Sequence, residues 1–402
     1  MRALMLCLFV LSTAACATPR NLPAPPPGEH LRAEVVGFPG VRIWGDESPP
    51  DIDRRIGLFR TQTMARFKAG GVPPEQQRLD ALVLSGGGSD GAYGAGLLKG
   101  WSARGTRPEF TFVTGVSTGA LIAPFAFLGS DYDDELERFY TQTPAESLLD
   151  FTPLRALLGG LSLVDTTRAG RLLEELLSDE VVRQIGAEHL RGRRLWIGTT
   201  NLDAQRPVFW NIGAIAATGK PKAGDMIRRI MLASSAIPGA FPPQLFPVVS
   251  GGERYSELHL DGGVTHQLFL YPYAIQLPEN TRAQIGPMLG TIYVLRNTQL
   301  APDYEPVTPR VVDIAARSIS TLIKTSGRND VFALEAIARR DGFSMEVTAV
   351  PESFNLVEEN LFDLAYMRAL YDVGYRLGRE GRPWTSVVTK ETDEPKTLAR
   401  AE

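Results

Sequence analysis

The 402-residue chain has only two cysteines, Cys7 and Cys16, four histidines and no block of lysine or arginine. Each scarcity removes a class of function. Cys7 lies inside the opening apolar run, so after export Cys16 would have no disulfide partner, and a disulfide scaffold is excluded. The histidines are scattered, with no His/Cys cluster and no D-x-D-x-D-G loop, so neither a metal nor a cofactor is expected. A formal net charge of -4 supplies no electrostatic footprint for nucleic acid. Beyond the first residues, no apolar run is long enough to cross a bilayer.

The start, MRALMLCLFVLSTAACATPR, has one early basic residue, an apolar run from Ala3 to Val10 and a small-residue patch ending at Cys16. That is the anatomy of a bacterial export signal, too short to remain as a spanning helix. Three outcomes are open. LSTAAC resembles a lipobox, in which the cysteine becomes the lipid-bearing first residue, although Thr13 stands where such boxes more often carry Leu. Cleavage after Ala17 is the second, and an uncleaved cytoplasmic start the third. The unpaired Cys16 favours lipidation. Residues 1–16 therefore read as a signal, and the Pro-rich residues 17–30 as an extended spacer holding a domain off a surface. The expected location is the bacterial cell envelope, as a membrane-anchored lipoprotein at the outer membrane or periplasmic face, with secretion as the alternative.

Residues 31–78 are mixed, with a strand pattern at VRIW and an amphipathic helical pattern from Ile52 to Phe67, and read as an N-terminal extension packed on the main domain. The main domain, residues 79–382, opens on the β-rich run LDALVLS. Helical patterns around Tyr93–Ala103, from Thr118, and at Arg168–Leu177, Asp225–Ser234, Val311–Arg340 and Asn360–Arg379 alternate with strand patterns at FTFVT, LWIGTTN, PVFWNI, YSELHL and TIYVLRN. Such alternation predicts an α/β fold with a mainly parallel sheet covered on both faces. Residues 383–402 read as a loose polar tail.

GVSTG, Gly115 to Gly119, follows the strand FTFVT at the spacing G-x-S-x-G. It is either a strand-to-helix turn that lifts a serine out as a nucleophile or a flexible Gly/Ser loop. SGGGSDGAYGAG, after the first core strand, contains G-x-G-x-x-G at Gly86, Gly88 and Gly91. A dinucleotide site would want an acidic residue at the end of the second strand, where GVSTG stands instead, and no Lys-Ser/Thr pair completes a P-loop. Three consecutive glycines bare their amides at a helix N-terminus, one βα unit before the serine, as an oxyanion hole requires. The serine also needs a base. His30 and His189 read as solvated surface groups, whereas His259 and His266 flank Asp261 and compete with it. An aspartate of ordinary pKa is a poor base for a hydroxyl, but burial would raise it. Phe241, Pro242 and Pro243 suit either core packing or an acyl pocket, and Leu148 to Val164 either a buried helix or an acyl-chain lid.

Four motifs in order, SGGGSDGAYGAG, GVSTG, ASSAIPGAFPP (Ala233 to Pro243) and LDGGV (Leu260 to Val264), resemble the patatin-like phospholipase family over roughly Leu79 to Arg379. The resemblance implies a three-layer α/β/α sandwich and hydrolysis of lipid carboxyl esters of the phospholipase A or lysophospholipase type. It implies Ser117 as nucleophile, Asp261 as its partner in a Ser-Asp dyad, and Gly86, Gly87 and Gly88 as the oxyanion loop, with Gly115, Gly119, Gly262 and Gly263 as motif glycines. The implied partners are an acyl-ester lipid and, through a lipidated Cys16, a membrane surface. Two positions depart from the family. Asp90 stands where a basic residue is usual, and Gln267 where Asn is frequent; the Asp90 carboxylate is expected to face solvent or a basic neighbour. An esterase or thioesterase for soluble acyl groups and a catalytically idle lipoprotein are the rival functions.

Overall fold

The computed structural model describes residues 20–148, 150–151, 164–276, 279, 289–302, 304, 306–381 and 383–388. Cys16 and most of the stretch from Leu148 to Val164 lie outside them. Among the described residues thirteen strands follow one another: β1 (Glu34–Val35), β2 (Arg42–Trp44), β3 (Leu79–Leu84), β4 (Phe112–Gly115), β5 (Asp150–Phe151), β6 (Val164–Asp165), β7 (Arg194–Asn201), β8 (Arg206–Asn211), β9 (Gln244–Ser250), β10 (Glu253–Asp261), β11 (Leu289–Arg296), β12 (Ser344–Ala349) and β13 (Thr385–Val388). Eleven of them form one sheet, in the order β1-β9-β10-β7-β4-β3-β11-β12-β13, with β8 and then β2 joined to the other edge of β7. The centre, β7-β4-β3-β11-β12, is parallel.

Why the core strands read as unbroken apolar runs is clear from β3. Leu82 and Leu84 face one layer, packing with the helices Gly91–Arg104, Thr118–Leu128 and Leu364–Glu380, while Leu79, Ala81 and Val83 face the other, where Phe67, Leu334 and Ile337 cover them. A strand covered on both faces has no polar side to alternate with. The result is a three-layer α/β/α sandwich with a mostly parallel central sheet.

The N-terminal extension does more than pack on this sandwich. β1 pairs antiparallel with β9 and β2 with β8, and Arg42 on β2 reaches Glu257 on β10, its Nη2 donating to Oε1 at 2.9 Å. The polar tail also differs from expectation. Residues 385–388 add to the sheet as β13, antiparallel to β12, and Trp384 before them packs against Trp101 and Tyr293 at ring separations of 4.9 and 5.0 Å.

Two helices beside the catalytic motifs touch backbone to backbone. A Cβ on Gly96 would stand 2.1 Å from the Tyr371 carbonyl oxygen, and one on Gly374 would stand 2.2 Å from that of Tyr93. Alanine in a helix interior is favoured over glycine by about 1 kcal/mol, but here the helices would have to separate. Overpacking of this kind costs about 1–3 kcal/mol, so Gly96→Ala is expected to lower the urea midpoint. A midpoint equal to or above that of the wild type would show that the pair is not in backbone contact.

Candidate active site

β4 ends at Gly115, the next helix begins at Thr118, and Ser117 sits between them at φ 55° and ψ −125°. It is one of three non-glycine residues with positive φ among the described residues. Such a backbone stores about 1–3 kcal/mol of strain, and it presents the side chain at a sharp strand-to-helix turn. The motif glycines are demanded by crowding. A Cβ on Gly115 would meet the Gly119 carbonyl oxygen at 2.3 Å, and one on Gly119 would meet that of Leu84 at 2.5 Å. Behind the turn, the Ser117 amide donates to Ser234 Oγ at 3.0 Å, and the Ser234 hydroxyl donates to the Gly198 carbonyl at 2.7 Å. Ser234 ends the helix Ala223–Ser234, so ASSAIPGAFPP supports the serine turn. Phe241 of the same motif packs in a small core with Leu148, Val164, Ala236 and Leu260.

Asp261 reaches the serine through the sheet. β8 occupies one edge of β7 from Trp196 to Asn201. On the opposite edge β4 runs parallel until Gly115 stands opposite Ile197, and β10 arrives antiparallel with Asp261 opposite Thr199. The two strands meet tip to tip. Asp261 is 2% exposed, and its Oδ1 accepts the Gly263 amide at 2.7 Å. Burial pushes its pKa up, the Gly263 amide and the Ser117 hydroxyl pull it back, and the balance falls at about 7. A carboxyl poised there beside a hydroxyl can take a proton and return it.

The glycine loop lies against the same serine: a Cβ on Gly86 would stand 3.0 Å from Ser117 Cβ. The Gly86 amide is already engaged, donating to Gln267 Oε1 at 3.0 Å. Those of Gly87, Gly88 and Thr118 have no protein acceptor among the described residues. Asn297 fixes the loop from β11, its backbone amide donating to Ser85 Oγ at 2.8 Å and its side chain to the Ser85 carbonyl at 2.9 Å. Asp90 is half-buried, and its Oδ1 accepts the Tyr366 hydroxyl at 2.5 Å. Gln267, Ser234 and Asn297 thus hold the site; Ser234 lies within the motif ASSAIPGAFPP and Gln267 stands out as a departure, whereas nothing in the sequence marks Asn297.

Among the described residues none of the histidines hydrogen-bonds Ser117 or Asp261. His259 is fully buried, with Nδ1 2.9 Å from Thr199 Oγ1 and Nε2 3.2 Å from Glu257 Oε2, and its ring packs on Trp210 and Phe246. Burial lowers its pKa. His266 sets its ring edge-on to Phe209. His189 is no surface group: it is buried, which together with Arg194 pushes its pKa down to about 3. His30 is half-buried, and its Nδ1 accepts the Gly28 amide at 3.2 Å.

Residues 82–271 match the family described as patatin-like phospholipase, a family of lipid acyl hydrolases. Among solved structures, the crystal structure of VipD from Legionella pneumophila is similar at 12% identity and a TM-score of 0.36, over 77% of this chain and 68% of that one. No curated protein matches the chain.

The strain at Ser117 is open to measurement. Glycine adopts this backbone freely, whereas alanine keeps the strain and loses the hydroxyl. Ser117→Gly is therefore expected to melt above Ser117→Ala in calorimetry. The reverse order would mean that the turn relaxes to an ordinary backbone.

Proposed function

We propose that the chain is a serine lipid acyl hydrolase of the phospholipase A or lysophospholipase type, cleaving carboxyl esters of membrane lipids through Ser117 and Asp261. The observation that carries this reading is a buried carboxyl poised at about pH 7 beside a serine on a strained turn. In the first half-reaction Ser117 Oγ bonds to the ester carbon as its proton passes to Asp261. The carbonyl oxygen gains negative charge, and the amides of Gly87, Gly88 and Thr118 are free to donate hydrogen bonds to it. Collapse breaks the bond to the alcohol, which leaves with the proton from Asp261. Water then attacks the acyl carbon and gives a proton to Asp261. The serine–acyl bond breaks, the carboxylic acid leaves, and Ser117 Oγ recovers its proton. Gly86, the third glycine of the loop, serves here as its anchor to Gln267 rather than as a donor.

A lipidated Cys16 would tether this domain to the cell envelope. Cys16→Ala is expected to move the protein from the detergent fraction to the soluble one, and wild type left unmarked by a fatty-acid analogue would rule lipidation out.

A fluorophosphonate probe tests the catalytic reading: wild type is expected to be labelled and Ser117→Ala not. Equal labelling of both leaves an idle binding protein. Asp261→Asn is expected to lose acylation by several powers of ten, while His259→Ala and His266→Ala keep most of it if they fold. Preference for vesicle lipid over soluble short-chain esters separates the lipase from the esterase.

The pH dependence has a definite sign. As the base, Asp261 must be ionised, so acylation should rise about tenfold per pH unit below pH 7 and level off above it. Its folded pKa lies above the unfolded value of about 3.9, so the folded state holds the proton more tightly. This group's contribution to stability then falls as pH rises from about 4 to about 7. Asp261→Asn should remove that fall, and an unchanged stability profile in the variant would contradict a raised pKa.

A further inference from the structure

We propose that the N-terminal half of the helix Val311–Asp341, with the loops beside the glycine loop, is an apolar rim that docks on an anionic lipid bilayer and brings the mouth of the Ser117 site to the membrane. Its purpose rests on the lipid hydrolase reading above; its geometry does not.

The helix is 31 residues long, and its buried positions begin at Gly327, followed by Asp330, Leu334, Ile337 and Ala338; just before them the Lys324 carbonyl accepts from Arg296 and Ser326 Oγ donates to the Thr265 carbonyl. The turns before these contacts, residues 311–323, run for about 20 Å at 1.5 Å per residue. On them Val311, Ile314 and Leu322 are 84%, 51% and 70% exposed. Spacings of three and eight residues set these three side chains along one stripe of the helix. Among the described residues these large aliphatics stay mostly uncovered, and an exposed aliphatic stripe of this kind marks an interaction surface.

The arm leaves the protein at the wall of the site. Asp330, in its first buried turns, accepts the amides of Gln267 at 2.6 Å and Leu268 at 3.1 Å, and the Gln267 side chain in turn holds the Gly86 amide. A Cβ on Gly327 would stand 3.2 Å from Gln267 Cβ. Across the site, Val357 is 78% exposed and Leu361 37%, in a segment joined to the glycine loop where the Phe362 amide donates to Ser89 Oγ at 3.1 Å. Exposed aliphatics therefore stand on two separate segments that are tied to the glycine loop, one through Gln267 and one through Ser89.

Charge selects the occupant. Residues 310–328 carry Arg310, Arg317, Lys324 and Arg328 against the single acid Asp313, in a chain of net charge -4. An aliphatic stripe interspersed with cations suits an anionic bilayer, where apolar burial and headgroup attraction add. A second copy of this chain would have to bring the same cations together.

The full chain carrying Cys16→Ala, which removes any lipid anchor, is floated with phosphatidylcholine vesicles with and without phosphatidylglycerol. Binding is expected with phosphatidylglycerol and weaker without it, and Ile314→Asp/Leu322→Asp in the same background should reduce it at least tenfold. The double variant should keep fluorophosphonate labelling and hydrolysis of a soluble short-chain ester. Undiminished flotation of the double variant overturns the proposal, as does a dimer in sedimentation velocity that the double variant abolishes. A parent that floats but takes no probe fails the hydrolase reading alone. A parent that takes the probe but does not float fails the rim alone.

Discussion

One edge of β7 receives two strands end to end, and the candidate site depends on that junction. β4 stops opposite Ile197 and β10 stops opposite Thr199, leaving Gly198 between their last partners. Serine and aspartate are thus set by sheet hydrogen bonds on a common spine, whose positional error is smaller than that of two independent loops. Gly198 also has to be small, since a Cβ there would meet the Phe269 ring at 2.9 Å, and its carbonyl anchors Ser234. β10 is itself clamped, paired with β9 from Glu253 to His259, while β9 is covered by β1. The N-terminal extension therefore belongs to the frame that aims Asp261.

The same strand shows how the chain separates two carboxyls by their surroundings. Glu257 and Asp261 are both buried on β10, and burial alone would raise both. Glu257 has Arg42 and His259 against it, which overcome burial and hold its pKa at about 2. Asp261 has only an amide and a hydroxyl, so burial wins and its pKa stands at about 7. The first is held as an ion, and the second has the surroundings that the proposed proton transfer requires. His259, two residues from Asp261, serves the first and not the second.

The turn at Ser117 was legible in the sequence because its requirements are local: Gly115 and Gly119 answer clashes within a few residues of the serine or with the neighbouring strand β3. The core strands were legible for the same reason, as apolar runs covered on both faces. Partners brought together by the sheet were not. Ser234 reads as the end of the helical pattern Asp225–Ser234, no motif marks Asp330, and β1 and β13 are too short or too polar to mark themselves before their partners are in place. The charged neighbours of His189 in the chain suggest a solvated ring, whereas the ring packs against Gly213, where a Cβ would stand 2.7 Å from Nδ1.

The glycine loop shows why a departure in sequence need not weaken a site. Gln267 lies between two motif glycines, its Oε1 accepting the Gly86 amide and its Nε2 2.1 Å from where a Cβ on Gly263 would be. It ties the loop after β3 to the turn after β10, and Asp330 ties its backbone to the long helix. From the other side Asn297 ties the same loop to β11. One amide is spent on this anchoring, and those of Gly87, Gly88 and Thr118 stay available on two elements that the sheet holds in register. Donors fixed before any charge develops need little reorganisation when it does. Asp90, whose carboxylate is held by Tyr366, adds its charge on the side of the helix Leu364–Glu380.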